Sequence, residues 1–297
     1  MPATLRSMLF VPGDSEKKLN KAAAGQADAL ILDLEDAVTA ERLPFARGLV
    51  TDYLRSTKAG GRQQRWVRIN PLTDPMTDPK PLADLAAVVA GAPDGILLPK
   101  TRSAADVVLL DHYLTVLEQR EGVTLGATRI ITVSTETAQA VLTMQGYVGC
   151  SPRLAGLTWG AEDLSAAIGA ATNREESGEY AFTYRMARSL CLVAAHAAEV
   201  QAIDTLTTDF RDTDLLRREV RAARREGFTG KIAIHPDQID PINAGFSPEP
   251  EELAHAQAVV DAFDAAPGVG AVQLAGKMLD RPHLLQAQRV LAMRRVG

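Results

Sequence analysis

The chain has little cysteine, few aromatics, no long apolar run and no block of basic residues, and each shortage removes a class of protein. Two cysteines in 297 residues, Cys150 and Cys191, cannot staple a small disulfide-built domain. A chain of this length has no need of one, since it can bury roughly three quarters of the surface exposed by its unfolded form. Both cysteines read as small core residues. The five histidines fall at no zinc-binding spacing. No stretch reaches about 18 consecutive apolar residues, which excludes a membrane-spanning helix. The N-terminus lacks the charged, apolar and small-residue succession of a secretory signal, so the expected compartment is the cytoplasm. A net charge of −5, with basic residues scattered among acids, argues against a nucleic-acid partner.

What is present is alternation. Short β-branched runs at Leu5–Val11, Ala29–Leu34, Arg65–Ile69, Gly95–Leu98, Ile130–Val133, Leu154–Trp159, Ala202–Leu206 and Lys231–Ile234 are separated by helical patterns, as in successive βα units of a parallel sheet. The spacing predicts an α/β fold, a (β/α)₈ TIM barrel over residues 1–245, with residues 246–297 as a C-terminal helical extension. Ser103 with Asp106 reads as a capping box for a helix ending near Gly122, and Asp212 or Thr213 caps another that Gly227 terminates. The arginines of that second helix read as a solvated face. Pro71–Pro81 is too proline-rich for regular structure and reads as a rim loop. The extension reads as a helix from Pro250 to about Ala265, a turn at Pro267–Gly270 and a last helix from Pro282 to Arg295.

Five groups stand where these strands end, the side on which parallel barrels gather ligands: Glu35 and Asp36, Arg68, Glu136, and Asp163. Mg²⁺ takes oxygen ligands, keeps several waters and uses one or two carboxylates, which Glu136 and Asp163 can supply from neighbouring strands. Their plain alternatives are a first-turn helix acid and an N-cap. Arg68 carries a planar fork suited to a carboxylate or thioester oxygen; its plain alternative is an ion pair with Glu35 or Asp36. Asp33 reads as an ion-pair partner within the barrel, without a further role. Lys17 and Lys18 follow the Pro12-Gly13-Asp14-Ser15 turn at a helix start, where backbone N–H groups favour phosphate, although two such lysines also make an ordinary solvated face. His235 closes the last strand as a rim histidine or a ligand contact. Asp280, ahead of Arg281-Pro282, is placed to cap the final helix.

The stretches Arg6–Gly13, Leu32–Val38, Val67–Asn70, Leu98–Lys100, Glu136–Ala138, Gly160–Leu164, Gly230–Pro236 and Gly276–Pro282, taken in order, resemble the citrate lyase β-subunit-like branch of the HpcH/HpaI aldolase superfamily. The resemblance implies a Mg²⁺-dependent barrel, usually a homotrimer or a multiple such as a hexamer. It implies Glu136 and Asp163 as metal ligands, with Glu136 also at the substrate, and Arg68 as a substrate-binding residue that offsets developing negative charge. Glu35 and Asp36 then orient metal-bound waters or Arg68. Lys17 and Lys18 become candidates for coenzyme A, the C-terminal helical extension over residues 246–297 becomes a lid, and Asp280 becomes an acid/base on that lid that reaches a neighbouring protomer. The implied reaction is reversible carbon–carbon cleavage of a carboxylated 3-hydroxyacyl-CoA thioester to an acyl-CoA and a small 2-oxo acid, as in citryl-, malyl-, methylmalyl- and citramalyl-CoA lyases. Two other readings stay open: a metal-dependent aldolase on free hydroxy-oxo-acids, and a non-autonomous subunit or acyl-CoA binding protein. The chain departs from the family pattern at Ser134-Thr135, at Gln139-Ala140 and at Trp159, positions that reshape the acceptor pocket rather than the ligand atoms.

Overall fold

The computed structural model describes residues 4–57, 61–74 and 76–293. Eight parallel strands close into a barrel in sequence order: β1 Ser7–Pro12, β2 Ala29–Asp33, β3 Gln64–Arg68, β4 Gly95–Leu98, β5 Arg129–Val133, β6 Leu154–Thr158, β7 Gln201–Asp204 and β8 Gly230–Ala233. Ser7 of β1 pairs with Lys231 of β8, so the sheet has no open edge. Helices α1 Glu16–Ala23, α2 Leu43–Ser56, α3 Lys80–Val88, α4 Ala104–Glu121, α5 Ala138–Leu142, α6 Glu162–Ala167, α7 Phe182–Ala197, α8 Thr213–Glu226 and α9 Ile239–Gly245 follow the strands. The fold is the (β/α)₈ barrel that the alternation predicts.

Side-chain parity explains why the strands are almost wholly apolar. Ala29 and Ile31 of β2 enter the barrel interior with Met8, Trp66, Leu97, Ile131, Ile203 and Ile232, whereas Leu30 and Leu32 pack outward against the helices. Both faces of each strand are therefore buried, and alternation of polar with apolar is lost. Gly95 makes room for the largest interior side chain: a Cβ there would lie 2.2 Å from the Trp66 ring.

Several local expectations change. Ser103 caps α4 by accepting from the Ala105 N–H, but Asp106 turns back to the Arg102 backbone N–H at 2.7 Å and its guanidinium at 3.1 Å instead of closing a capping box. Asp212, not Thr213, caps α8. On α8, Arg224 leaves the solvated face to pair with Glu252 at 2.8 Å. The rim loop ends earlier than read, because Pro81 lies in the first turn of α3, where its missing N–H costs nothing; Pro75 is outside the described residues. Cys191 is buried in the core and Cys150 half-buried against it.

Beyond the barrel, α10 Pro250–Asp264 is followed by an antiparallel hairpin, β9 Ala271–Leu274 and β10 Lys277–Asp280, and by α11 Arg281–Ala292. The expected purely helical extension is thus corrected to helix, hairpin and helix. Arg295, the expected helix end, lies outside the described residues. These elements share a small apolar cluster of their own, centred on Ala256, Val259, Leu279 and Ala287.

Candidate active site

Strand parity carries polar residues into the barrel mouth. Asp33 continues the inward row of Ala29 and Ile31, Arg68 continues that of Trp66, and the two stand opposite one another in the β2–β3 register. The Arg68 fork closes on Asp33, Nε to Oδ1 at 2.7 Å and Nη2 to Oδ2 at 2.6 Å. Nη1 lies 2.9 Å from Glu35 Oε2 and 3.7 Å from Asp36, and the guanidinium covers the Phe10 ring at 4.5 Å. The expected pair with Glu35 or Asp36 is present, and Asp33 makes the ion pair within the barrel expected of it; its partner is Arg68, whose fork it holds. Burial opposes the charge of Arg68, yet Asp33 and its acidic neighbours more than offset this and push its pKa up.

Lys100 is the group that sequence reasoning missed. It follows β4 with φ of 49°, a left-handed conformation costing a non-glycine residue about 1 kcal/mol or more. Its backbone N–H donates to Glu136 Oε2 at 2.5 Å. Its ammonium contacts Glu35, lies 3.1 Å from Asp36 and 3.4 Å from Asp163, and so binds two acids that follow β2 and one in the first turn of α6. Its signals were its place directly after the Leu98-Pro99 strand end and its membership of the Leu98–Lys100 stretch that carries part of the family resemblance.

Glu136, after β5, is buried, and burial together with neighbouring Asp163 raises its pKa to about 8. A Cβ on Gly160 would lie 3.0 Å from its Cγ and 3.1 Å from Oε1, so a larger residue would press on the Glu136 side chain. Thr135 clamps that passage, accepting from the Gly160 N–H at 2.9 Å and donating to the Gly160 carbonyl at 3.2 Å. The polar Ser134-Thr135 departure therefore anchors the segment leading to Asp163. Burial raises the Glu35 pKa against the pull of Arg68 and Lys100; at Asp36 burial acts the same way, but Lys100 prevails and the pKa is lowered.

Asp33, Asp36, Arg68, Glu136 and Asp163 border a cavity of about 680 Å³ that also reaches Lys18 and Lys21 on α1, Trp159, Tyr180 and His235. Lys18 lines it, whereas Lys17 does not. Lys21, one helical turn beyond Lys18, takes the expected place of Lys17. His235 stacks on Phe210 at 4.7 Å and accepts from the Asp237 N–H. Asp280 does not line the cavity: it begins α11, with its carboxylate 2.5 Å from His283 Nδ1.

The donor set suits a hard divalent cation. Two carboxylates from neighbouring strands meet at the rim, one of them buried and carrying a raised pKa, and buried Glu35, paired with Arg68 and Lys100, stands beside them. Among the described residues, no group of three or more His, Cys, Asp or Glu side chains is placed to hold a metal ion, so water would have to complete the coordination of a cation held by two carboxylates.

A closed barrel with acids and a pinned arginine at the C-terminal strand ends is the architecture of a barrel enzyme. The chain belongs to the HpcH/HpaI aldolase/citrate lyase family, whose model matches residues 6–236. It is 33% identical over 290 residues to the citrate lyase subunit beta of Leuconostoc mesenteroides subsp. cremoris, covering 97% of this chain and 92% of that one. It is 34% identical over 289 residues to a (3S)-malyl-CoA thioesterase of Cereibacter sphaeroides, covering 97% and 93%. Among solved structures it resembles CitE of Mycobacterium tuberculosis in complex with magnesium, acetoacetate and coenzyme A, at 32% identity and a TM-score of 0.77 over 98% of each chain. No helix among the described residues is long and apolar enough to cross a membrane.

Proposed function

We propose that this protein is a Mg²⁺-dependent carbon–carbon lyase that cleaves, or in reverse forms, a carboxylated 3-hydroxyacyl-CoA thioester, with an acyl-CoA and a 2-oxo acid as the other side of the reaction. The observation carrying this reading is the meeting of Glu136 and Asp163 beside Arg68 and Lys100 at one barrel mouth, in a chain of the aldolase/citrate lyase family. A relative in complex with magnesium and coenzyme A supports it.

Glu136 and Asp163 would hold Mg²⁺, and Glu35 and Asp36 would orient its waters. When bound, the cation supplies Lewis-acid polarisation of the oxo-acid carbonyl. Arg68, fixed by Asp33, presents its Nη1 edge to developing enolate charge, and its orientation is set before substrate arrives. Lys100 offsets the repulsion among Glu35, Asp36 and Asp163. Lys18 and Lys21 form no ion pair among the described residues and face the cavity, which suits the phosphates of coenzyme A better than the expected Lys17. Residues 246–297 would act as the lid, with Asp280 delivering the proton to the acyl carbon of a neighbouring copy in a trimer or a multiple of one.

The test is turnover of a panel of 3-hydroxyacyl-CoA thioesters by the purified protein with Mg²⁺, with products identified by mass. Metal-dependent release of an acyl-CoA and an oxo acid is expected; absence of cleavage across the panel overturns the reading. Free coenzyme A without an oxo acid would place the protein with its thioesterase relative instead. Turnover of CoA-free hydroxy-oxo-acids alone would favour an aldolase, and turnover only with an acyl-carrier partner would favour a subunit.

A further inference from the structure

The cavity is chemically divided. Its acids and Arg68 come from the ends of β2, β3, β5 and β6 and its lysines from α1, while Trp159, Leu206 and Ile232 stand at β6, β7 and β8, joined by Val133 and by Tyr180 from the segment before α7. Trp159 directly precedes Gly160 and lines the cavity while its side chain is buried. Its N–H is used by Asp204 at 2.7 Å, and its ring meets Tyr180 edge to face at 5.1 Å. The wall is therefore held in place and offers no indole donor.

Nor does a cation face it. Behind Trp159, Arg188 and Lys231 are both engaged by buried Asp204, at 3.0 and 3.4 Å, and Lys231 also donates to the Thr205 carbonyl at 2.6 Å. Arg174 lies over Tyr180 at 4.1 Å, bonds the Gly178 carbonyl and does not line the cavity. Arg68 and Lys100 are bound by acids on the other side. Lys18 and Lys21 stand on the α1 rim, and His235 is stacked on Phe210 at the outer end of β8. A second carboxylate on the oxo acid would lose water against this wall without gaining a countercharge, whereas a hydrogen or methyl group would be buried against rings and aliphatic carbons.

We propose that the oxo-acid half of the site selects a monocarboxylic 2-oxo acid whose remaining substituent is hydrogen or a short alkyl group, and discriminates against dicarboxylic oxo acids. This rests on the lyase reading above.

The test runs the reaction as condensation: wild-type protein, Mg²⁺ and acetyl- or propionyl-CoA, with glyoxylate, pyruvate or oxaloacetate in separate reactions. The better of glyoxylate and pyruvate is expected to exceed oxaloacetate in kcat/KM by at least about 100-fold. Oxaloacetate within about tenfold overturns the selectivity and leaves the lyase reading standing. No condensation with any acceptor, together with no thioester cleavage, overturns the lyase reading and this inference with it. Leu206→Lys, at a half-buried position of the wall, supplies the missing cation and is expected to narrow the ratio about tenfold by raising oxaloacetate turnover. An unchanged ratio in that variant, once shown to be folded, overturns the role of the wall.

Discussion

Arg68 and Asp33 face each other across the β2–β3 ladder and share two hydrogen bonds, so the guanidinium is locked before any ligand arrives. Asp33 is buried, and removing its partner leaves a charge helped only by the Glu35 and Ala37 N–H groups. Arg68→Ala is therefore expected to cost about 3–5 kcal/mol, read as a lowered denaturation midpoint. Arg68→Lys keeps the charge without the fork; it should lose less stability while turnover falls roughly 10²–10³-fold. Near-normal turnover in the lysine variant would remove Arg68 from the chemistry.

Glu136 gives a pH signature. Its pKa of about 8 in the metal-free fold exceeds the ordinary 4.5, so between these values the folded state binds the extra proton. Stability from this group is complete below about 4.5 and is lost as pH rises through 8. In metal-free protein, melting temperature should fall over that window more steeply than in Glu136→Gln, and Mg²⁺ should restore the wild type most at the alkaline end, because ligation needs the carboxylate. Parallel melting curves for the two proteins would refute the raised pKa.

Gly160→Ala probes the same carboxylate by sterics. The new Cβ meets Glu136 at 3.0–3.1 Å and must displace it, while Thr135 continues to hold the backbone. Mg²⁺ affinity by calorimetry is expected to drop roughly 10–100-fold with the circular dichroism spectrum unchanged. Wild-type affinity would show that the close Gly160 contact does not set the position of Glu136 for the metal.

The barrel was legible because each strand is buried on both faces and so reads as a short apolar run between helical patterns. The hairpin of the C-terminal extension was not. Its strands have four residues each, and its turn is Ala275-Gly276, with φ of 49° and 77°; such a turn usually carries asparagine, aspartate or glycine first, and alanine hides it. The acids and Arg68 were visible as strand-end residues, and parity alone could have joined Asp33 to Arg68. Lys100 was not visible as part of the site, since its reach to Glu35, Asp36 and Asp163 depends on a left-handed backbone that propensity assigns to glycine. Lys21 was legible in principle, being one helical turn from Lys18.

Asp280 separates two roles by experiment. It begins α11 and its backbone N–H donates to His283 Nδ1, an arrangement a plain helix cap would explain. If capping is its whole task, Asp280→Asn should be nearly silent, because asparagine caps about as well, and Asp280→Ala should cost roughly 0.5–2 kcal/mol with activity kept. As the acid/base of a neighbouring copy, Asp280→Asn should retain fold, assembly and Mg²⁺ binding but lose turnover and proton exchange into acyl-CoA, since an amide cannot transfer that proton. The decisive measurement mixes inactive Asp280→Asn with inactive Glu136→Gln chains under conditions that exchange subunits. Activity should return where an intact rim from one chain meets an intact lid from another. A mixture that exchanges subunits yet stays dead would remove the role in trans, and with it the reason for expecting an assembly that the reaction requires.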